Sequence, residues 1–404
     1  MVLYSRQVEF SSTMITFLIF IAVLAVLVLS HEFGHFIVAR KSGMKVYEFG
    51  FGFPPRLFGI QFIKDASGKK KVKFIGRKRI LEEESHGGST VYSINLIPLG
   101  GFVHIKGENG EDPGPDSFAA QNAWKRAATL CAGVAMNIVL AFILLSAGFM
   151  MGLPQAIDGL PSGVTVKDRH LEIIEAMPGK PAAEAGLQSG DTIVALDNLQ
   201  NPSVSAMQDY VNSHKNQDIT VTIKRDGSII EKKVHPFIYP DTGKGGLGVS
   251  LVEVGLVSYP WYKAIYYGML MTGFYLKEIL FSFYFLIAGL FAGNNMGQVV
   301  SGPVGIAVMT GHVARLGFSY LLNFTALLSL NLAIINILPI PALDGGRLLF
   351  LIISKIKRKP ISQRAEQIAH GLGFTLLMLL VVVITIKDLG HFKGFFIDLW
   401  NNLT

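Results

Sequence analysis

Apolar residues run almost unbroken from Met14 to Leu29, and after a short polar cluster the run resumes with Phe36, Ile37, Val38 and Ala39. A helix of that length crosses about 30 Å of hydrocarbon, so it predicts a first membrane span. Three further long runs predict spans over about Ala128 to Leu153, Tyr320 to Ile340 and Gly371 to Ile386. Ile279 to Ala292 is apolar too, but fourteen residues fall short of a span and suit an interfacial or re-entrant helix. Four spans place both termini on one side. No small-x-small cleavage site follows Leu29, so the first run reads as a retained anchor rather than a cleaved signal.

Between these runs the period shifts to that of strands. Val46 to Val103 reads as β-rich, with alternation in Lys71-Val72-Lys73-Phe74-Ile75 and glycine-bounded apolar runs. Further on, Ile219, Val221 and Ile223 alternate with Thr220, Thr222 and Lys224, and Asp226-Gly227 supplies a hairpin turn. Val204, Met207 and Val211 just before it repeat at helical spacing. The predicted fold is an α-helical polytopic membrane protein with four transmembrane helices, a β segment on one side and an α+β domain inserted on the other. Its divisions are the first span (1–40), a β region (41–126), the second span (127–153), the inserted domain (163–254), an interfacial amphipathic region (258–315), the third span (316–346), the fourth (365–388) and a C-terminal tail (389–404).

Composition agrees with this pattern: half the residues are hydrophobic, only 16% are charged, and mean hydropathy is +0.43. The net charge of +7 could suggest nucleic acid as a partner. Its location argues otherwise. Arg40, Lys41 and Lys45 follow span one, Lys125 and Arg126 precede span two, and Lys355, Lys357, Arg358, Lys359 and Arg364 join spans three and four. By the positive-inside rule these loops are cytoplasmic and face anionic lipid headgroups. The N-terminus, the segment from about Pro154 to Arg315 and the C-terminus then lie outside, which in a bacterium means periplasm or cell exterior. The single Cys131 permits neither a disulfide framework nor a cysteine metal site.

At the end of the first span stands His31-Glu32-Phe33-Gly34-His35. Two histidines four apart share a helix face and can hold one Zn²⁺, and the intervening Glu32 can act as base toward a water there. Ionisable groups at membrane depth are costly enough that function is their default explanation. Tetrahedral zinc needs another protein ligand, a third His or a carboxylate, with one position left open. No other His pair has ligand spacing. Among acidic residues Asp344 stands out, in Asn336-Ile337-Leu338-Pro339-Ile340-Pro341-Ala342-Leu343-Asp344-Gly345-Gly346. Two prolines break the helix near the cytoplasmic end of span three, placing Asp344 at the depth of His31 and His35. Were Ile279 to Ala292 a full crossing, Asp344 would face the opposite side.

HEFGH ending the first span and NILPIPALDGG ending the third together resemble the site-2 protease family of intramembrane zinc metalloproteases, in its bacterial RseP-type branch. Glu48-Phe49-Gly50-Phe51-Gly52, Tyr92 to Val103 and Ser301-Gly302-Pro303-Val304-Gly305-Ile306 are similar to family segments. The resemblance implies zinc bound by His31, His35 and Asp344, with Glu32 as catalytic base. It also implies a membrane re-entrant β-loop beginning at Phe49, Gly50, Phe51 and Gly52 that offers a strand edge to substrate, and an Asn336 that holds substrate backbone near the zinc. The chain departs from the pattern at Arg347, where many members have His after the LDGG element, and at Val134, where they have Pro.

Pro178 to Leu187 followed by Ser189-Gly190-Asp191-Thr192-Ile193 resembles the signature stretch of bacterial PDZ domains. One such domain over about Gly163 to Val254 would bind an extended chain end or act as a steric filter for substrate ectodomains. The implied activity is hydrolysis of peptide bonds within transmembrane segments of single-span proteins already shortened outside, such as anti-sigma factors or signal-peptide remnants, in the bacterial inner membrane. An inactive membrane adaptor that uses PDZ binding alone is the alternative, and a metal or solute transporter would need a continuous polar path that the sequence lacks.

Overall fold

The computed structural model describes residues 2–64, 69–76, 89–108, 114–157, 160, 164–225, 227–240, 243–292, 301–359 and 361–391. In chain order the elements are α1 (Val2–Lys41), β1 (Val46–Lys64), β2 (Lys70–Ile75), β3 (Val91–Ile105), α2 (Ala123–Met151), β4 (Leu153–Ala156), β5 (Thr165–Ala176), α3 (Pro181–Glu184), β6 (Thr192–Leu196), β7 (Leu199–Gln200), α4 (Val204–Ser213), β8 (Ile219–Arg225), β9 (Ser228–Val234), β10 (Phe237–Ile238), β11 (Gly245–Gly246), β12 (Val249–Ser258), α5 (Trp261–Phe291), α6 (Pro303–Leu316), α7 (Phe318–Ile337), α8 (Asp344–Lys357) and α9 (Gln363–His391). They form two compact units, Met1–Leu144 with Met269–Thr404, and Leu145–Gly268.

Five helices are long and apolar enough to cross a membrane: Met14–Lys41, Ala123–Met151, Trp261–Gly289, Phe318–Ile337 and Gln363–Gly390. Four of them overlap the predicted runs. The fifth differs from the sequence expectation, because the stretch from Ile279 is only the latter part of a continuous 31-residue helix, α5. Its first turns carry Trp261, Tyr262, Tyr266 and Tyr267, interfacial residue types that an apolar count passes over. The region expected as one interfacial segment, 258–315, holds two helices, α5 and α6. The tail after His391 lies outside the described residues.

In the first unit the sheet order is β2-β1-β3, but β1 and β3 interleave. Phe49 pairs with both Val103 and Tyr92, Gly50 with Phe102 and Ser93, and Phe51 with Gly101 and Ile94. Phe49 to Phe51 therefore lie inside the sheet rather than at its edge. The later half of β1, Gly59 to Gln61, pairs with Ser93 to Val91 on one side and with β2 on the other. The alternation in β2 yields a strand but no buried apolar face, since Val72 and Phe74 are both exposed.

The sheet is fastened to α1 through glycine. A Cβ on Gly100 would lie 2.6 Å from Val28 Cγ1, and one on Gly101 would lie 2.8 Å from the Gly50 carbonyl oxygen. Past this contact the sheet ends in a tip of exposed apolar side chains, among them Phe53, Phe58, Leu96 and Ile97. At the other end of the sheet, Phe36, Ala39, Met44, Val46, Ile105, Phe118, Leu130 and Leu351 form a buried core that joins α1, α2, α8 and the strand ends.

The second unit is built around a sheet ordered β4-β12-β5-β6-β8-β9, with β7 beside β6. Ile219, Val221 and Ile223 are all fully buried, as their alternation predicts. Each contributes about 1.5–3 kcal/mol by leaving water. Ser203 caps α4 by accepting the Ala206 N–H, which turns Met207 and Val211 into the same core. Gly227 takes the left-handed conformation, φ 83°, in the β8–β9 turn, while Asp226 and Gly163 lie outside the described residues. The unit extends beyond the expected 163–254 because β4 pairs with β12 and so belongs to the same sheet.

Candidate metal centre

The site assembles at the junction of α1, α2 and the start of α8. His31 and His35, one turn apart on α1, place their Nε2 atoms 3.1 Å from each other. Asp344 Oδ2 lies 2.9 Å from His31 Nε2 and 3.3 Å from His35 Nε2. The sequence around Asp344 makes this possible. α7 ends at Ile337 before Pro339, and Asp344 opens α8, where the helix dipole favours a carboxylate. Gly345 lets α8 begin hard against the end of α7, since a Cβ there would be 2.2 Å from the carbonyl oxygens of Ile337 and Leu338.

Three donor atoms at these separations fit a zinc ion. Ligand distances of 2.0–2.2 Å in a tetrahedron put the donors about 3.3 Å apart. Asp344 Oδ2 is buried against the two Nε2 atoms and makes no other hydrogen bond among the described residues; with those nitrogens unprotonated the position is costly unless a cation shares it. His35 Nδ1–H donates to the Thr129 carbonyl at 2.7 Å, which leaves the Nε2 lone pair for the metal. On the far side of His31, Nδ1 has the side-chain amides of Asn137 and Asn336 each at 3.5 Å. Asn137 Oδ1 is itself buried without a partner. Turning that amide over presents Oδ1 to the His31 Nδ1–H, which would satisfy both groups.

Glu32 is half-buried beside this cluster and interacts electrostatically with His35, His31, Asp344 and Glu108. Asn336 reaches the same imidazole as Asn137. Phe49 packs its ring 6.1 Å from Phe33, within HEFGH, and 5.0 Å from Phe36, so the β sheet runs beside the motif. Gly50 and Gly52 continue from there towards the tip. Local structure accounts for both glycines: a Cβ on Gly50 would sit 2.4 Å from the Phe102 ring, and Gly52, at φ 78°, accepts a hydrogen bond from Asn95.

Several contributors carry no spacing signal in the sequence. Gly133 of α2 faces the histidines directly, and a Cβ there would lie 2.5 Å from His35 Nε2 and 2.6 Å from His31 Cε1. Gly34 faces the reverse way, 2.3 Å from the Ala132 carbonyl by the same measure. The two helices thus cross where neither has a side chain, and the imidazoles fill the space. Thr129 acts through its backbone, invisible to any motif. Arg347, one of the two departures from the family pattern, forms an ion pair with Glu108 that ties the first turn of α8 to the loop after β3.

The chain matches the family model described as Peptidase family M50 over residues 19–75 and 64–380. It is 29% identical to the regulator of sigma-W protease RasP of Bacillus subtilis, over 93% of this chain and 98% of that protein. It is 28% identical to the zinc metalloprotease RasP of Shouchella clausii, with the same coverage. Among solved structures it is similar to the PDZ domain of the SdrC-like protein from Listeria monocytogenes, at 20% identity and TM-score 0.20, over 22% of this chain and 92% of that one. A family match that spans the HEFGH helix, the inserted unit and the Asp344 loop places this chain in Peptidase family M50, as a site-2 type zinc metalloprotease.

Proposed function

We propose that His31, His35 and Asp344 hold the zinc and that Glu32 is the catalytic base. One observation carries this reading: three donor atoms from helices far apart in sequence lie within 4.8 Å of one another. Zinc, when bound, supplies a Lewis acid for the scissile carbonyl and lowers the pKa of a water towards neutrality. The Glu32 carboxylate takes the proton from the attacking water and later delivers it to the leaving amine nitrogen. His35 is held in its productive tautomer by Thr129, and His31 is oriented by Asn137. An adaptor would need none of these four side chains.

The substrates are single-span membrane proteins whose helix must unwind before a peptide bond is open to attack, because helical backbone is already hydrogen-bonded. Asn336 and the β sheet hold the unwound segment, with Phe49 to Phe51, paired on both sides, forming the body of that sheet rather than its accepting edge. The exposed apolar tip, reached beyond a contact with Val28 and Leu29 inside the first span, supports a sheet that dips into hydrocarbon with its backbone groups paired internally. Four spans cross, with α5 lying at the interface through Trp261, Tyr262 and Tyr266. The second unit is a PDZ domain on the outer face of a bacterial inner membrane, where it screens or binds substrate ectodomains, and both termini are outside. Anti-sigma factors are one substrate class consistent with the name of the Bacillus subtilis relative.

Purified Glu32→Gln protein in detergent, given a tagged transmembrane substrate, tests the chemistry. Cleavage should fall by at least about a hundredfold with zinc retained. Undiminished cleavage would remove Glu32 from the reaction.

A further inference from the structure

The loop that delivers Asp344 is held from the side by the last long helix. Ala342 adopts φ 81°, a conformation that side chains other than glycine rarely take. Within the loop, Ile340 N–H donates to Leu338, Leu343 N–H to Ile340 and Gly346 N–H to Leu343. The Ala342 N–H instead leaves the loop and donates to Nδ1 of His370 on α9, at 2.7 Å. One turn further along α9, Gly373 allows the same loop to press against the helix, since a Cβ there would be 2.4 Å from the Pro341 carbonyl oxygen. The His370 ring is braced edge-on by Phe350 of α8, at 5.5 Å. Because Nδ1 accepts, the ring proton sits on Nε2, which lies 3.9 Å from the Glu366 carboxylate.

We propose that His370 is a positioning residue: by accepting the Ala342 N–H it fixes the left-handed turn that aims the Asp344 carboxylate at His31 and His35. This rests on the reading of Asp344 as a zinc ligand. The remainder of α9 is largely exposed, with Leu372, Phe374, Leu376 and Leu379 all turned outward. Near its two ends α9 is tethered to other elements, by His370 here and by Asp388, which accepts the N–H groups of Gly302 and Gly305. Displacement of α9 at its His370 end would thus be transmitted to the metal.

The test uses full-length protein in detergent and reads zinc affinity by chelator competition, the visible spectrum of the cobalt-substituted protein, and cleavage. His370→Phe keeps a ring but removes the acceptor, and should weaken zinc binding about tenfold or more and alter the cobalt spectrum. His370→Asn restores an acceptor oxygen and should return all three readouts to near wild type. Adding Ala342→Gly to His370→Phe should recover part of the lost affinity, because glycine takes the turn without help. Wild-type zinc affinity and cobalt spectrum in His370→Phe would overturn the proposal. So would an equal loss in His370→Asn, which alone decides the matter should His370→Phe fail to fold. Asp344→Ala, measured alongside, separates the two claims: if it keeps wild-type zinc affinity the ligand assignment itself fails.

Discussion

The metal centre and the inserted unit are built on opposite principles. In the inserted unit, apolar side chains at strand spacing face inward and the core follows: Ile219, Val221 and Ile223 are buried in turn, with Met207 and Val211 closing over them. At the metal centre the organising residues are polar or have no side chain at all. Gly34 and Gly133 bring two helices together, Gly345 stacks α8 on α7, and the imidazoles and a carboxylate occupy the space that results. Side-chain volume holds the first region and backbone proximity the second. A lost methyl group should therefore weaken the inserted unit gradually, whereas an added one should abolish the site.

The sharpest way to break that contrast is at the chemistry. His31→Ala or Asp344→Ala should eliminate cleavage and zinc together, as measured by elemental analysis and a substrate gel, while leaving the helical circular dichroism near wild type. Gly133→Val comes next. Its side chain would collide with both imidazoles, so zinc content should fall severely, and cleavage with it, although His31, His35 and Asp344 are all unchanged. If Gly133→Val kept a full equivalent of zinc and full activity, backbone proximity would not govern the site.

In the inserted unit the expected effects are smaller and confined to it. Ile223→Ala removes a fully buried side chain and should lower stability by about 2–5 kcal/mol, read by limited proteolysis within residues 145–268, with zinc still bound. Ser203→Ala removes the α4 cap and should lower stability by about 1 kcal/mol on the same assay. Loss of zinc in either variant would mean that the two regions are not energetically separate.

The same contrast decides what could be read from the sequence. HEFGH is visible because a helix puts residues four apart on one face, and Asp344 because two prolines and a glycine pair mark the end of a span. Strand alternation in β8 is visible for a similar reason. Thr129 is not, since it acts through a carbonyl that every residue type possesses, nor is His370, whose partner is a backbone N–H twenty-eight positions away. The interleaving of β1 with β3 depends on pairing between segments some forty residues apart and leaves no local period. The start of α5 was hidden because tyrosine and tryptophan count weakly as apolar, although they continue the helix.

On the proposed ligand set, one zinc ion is held jointly by α1 and the opening of α8. Elemental analysis of purified full-length protein, wild type beside Asp344→Asn, tests it most directly. Wild type should carry about one equivalent of zinc and the variant a small fraction of that. A full equivalent retained by Asp344→Asn would contradict it.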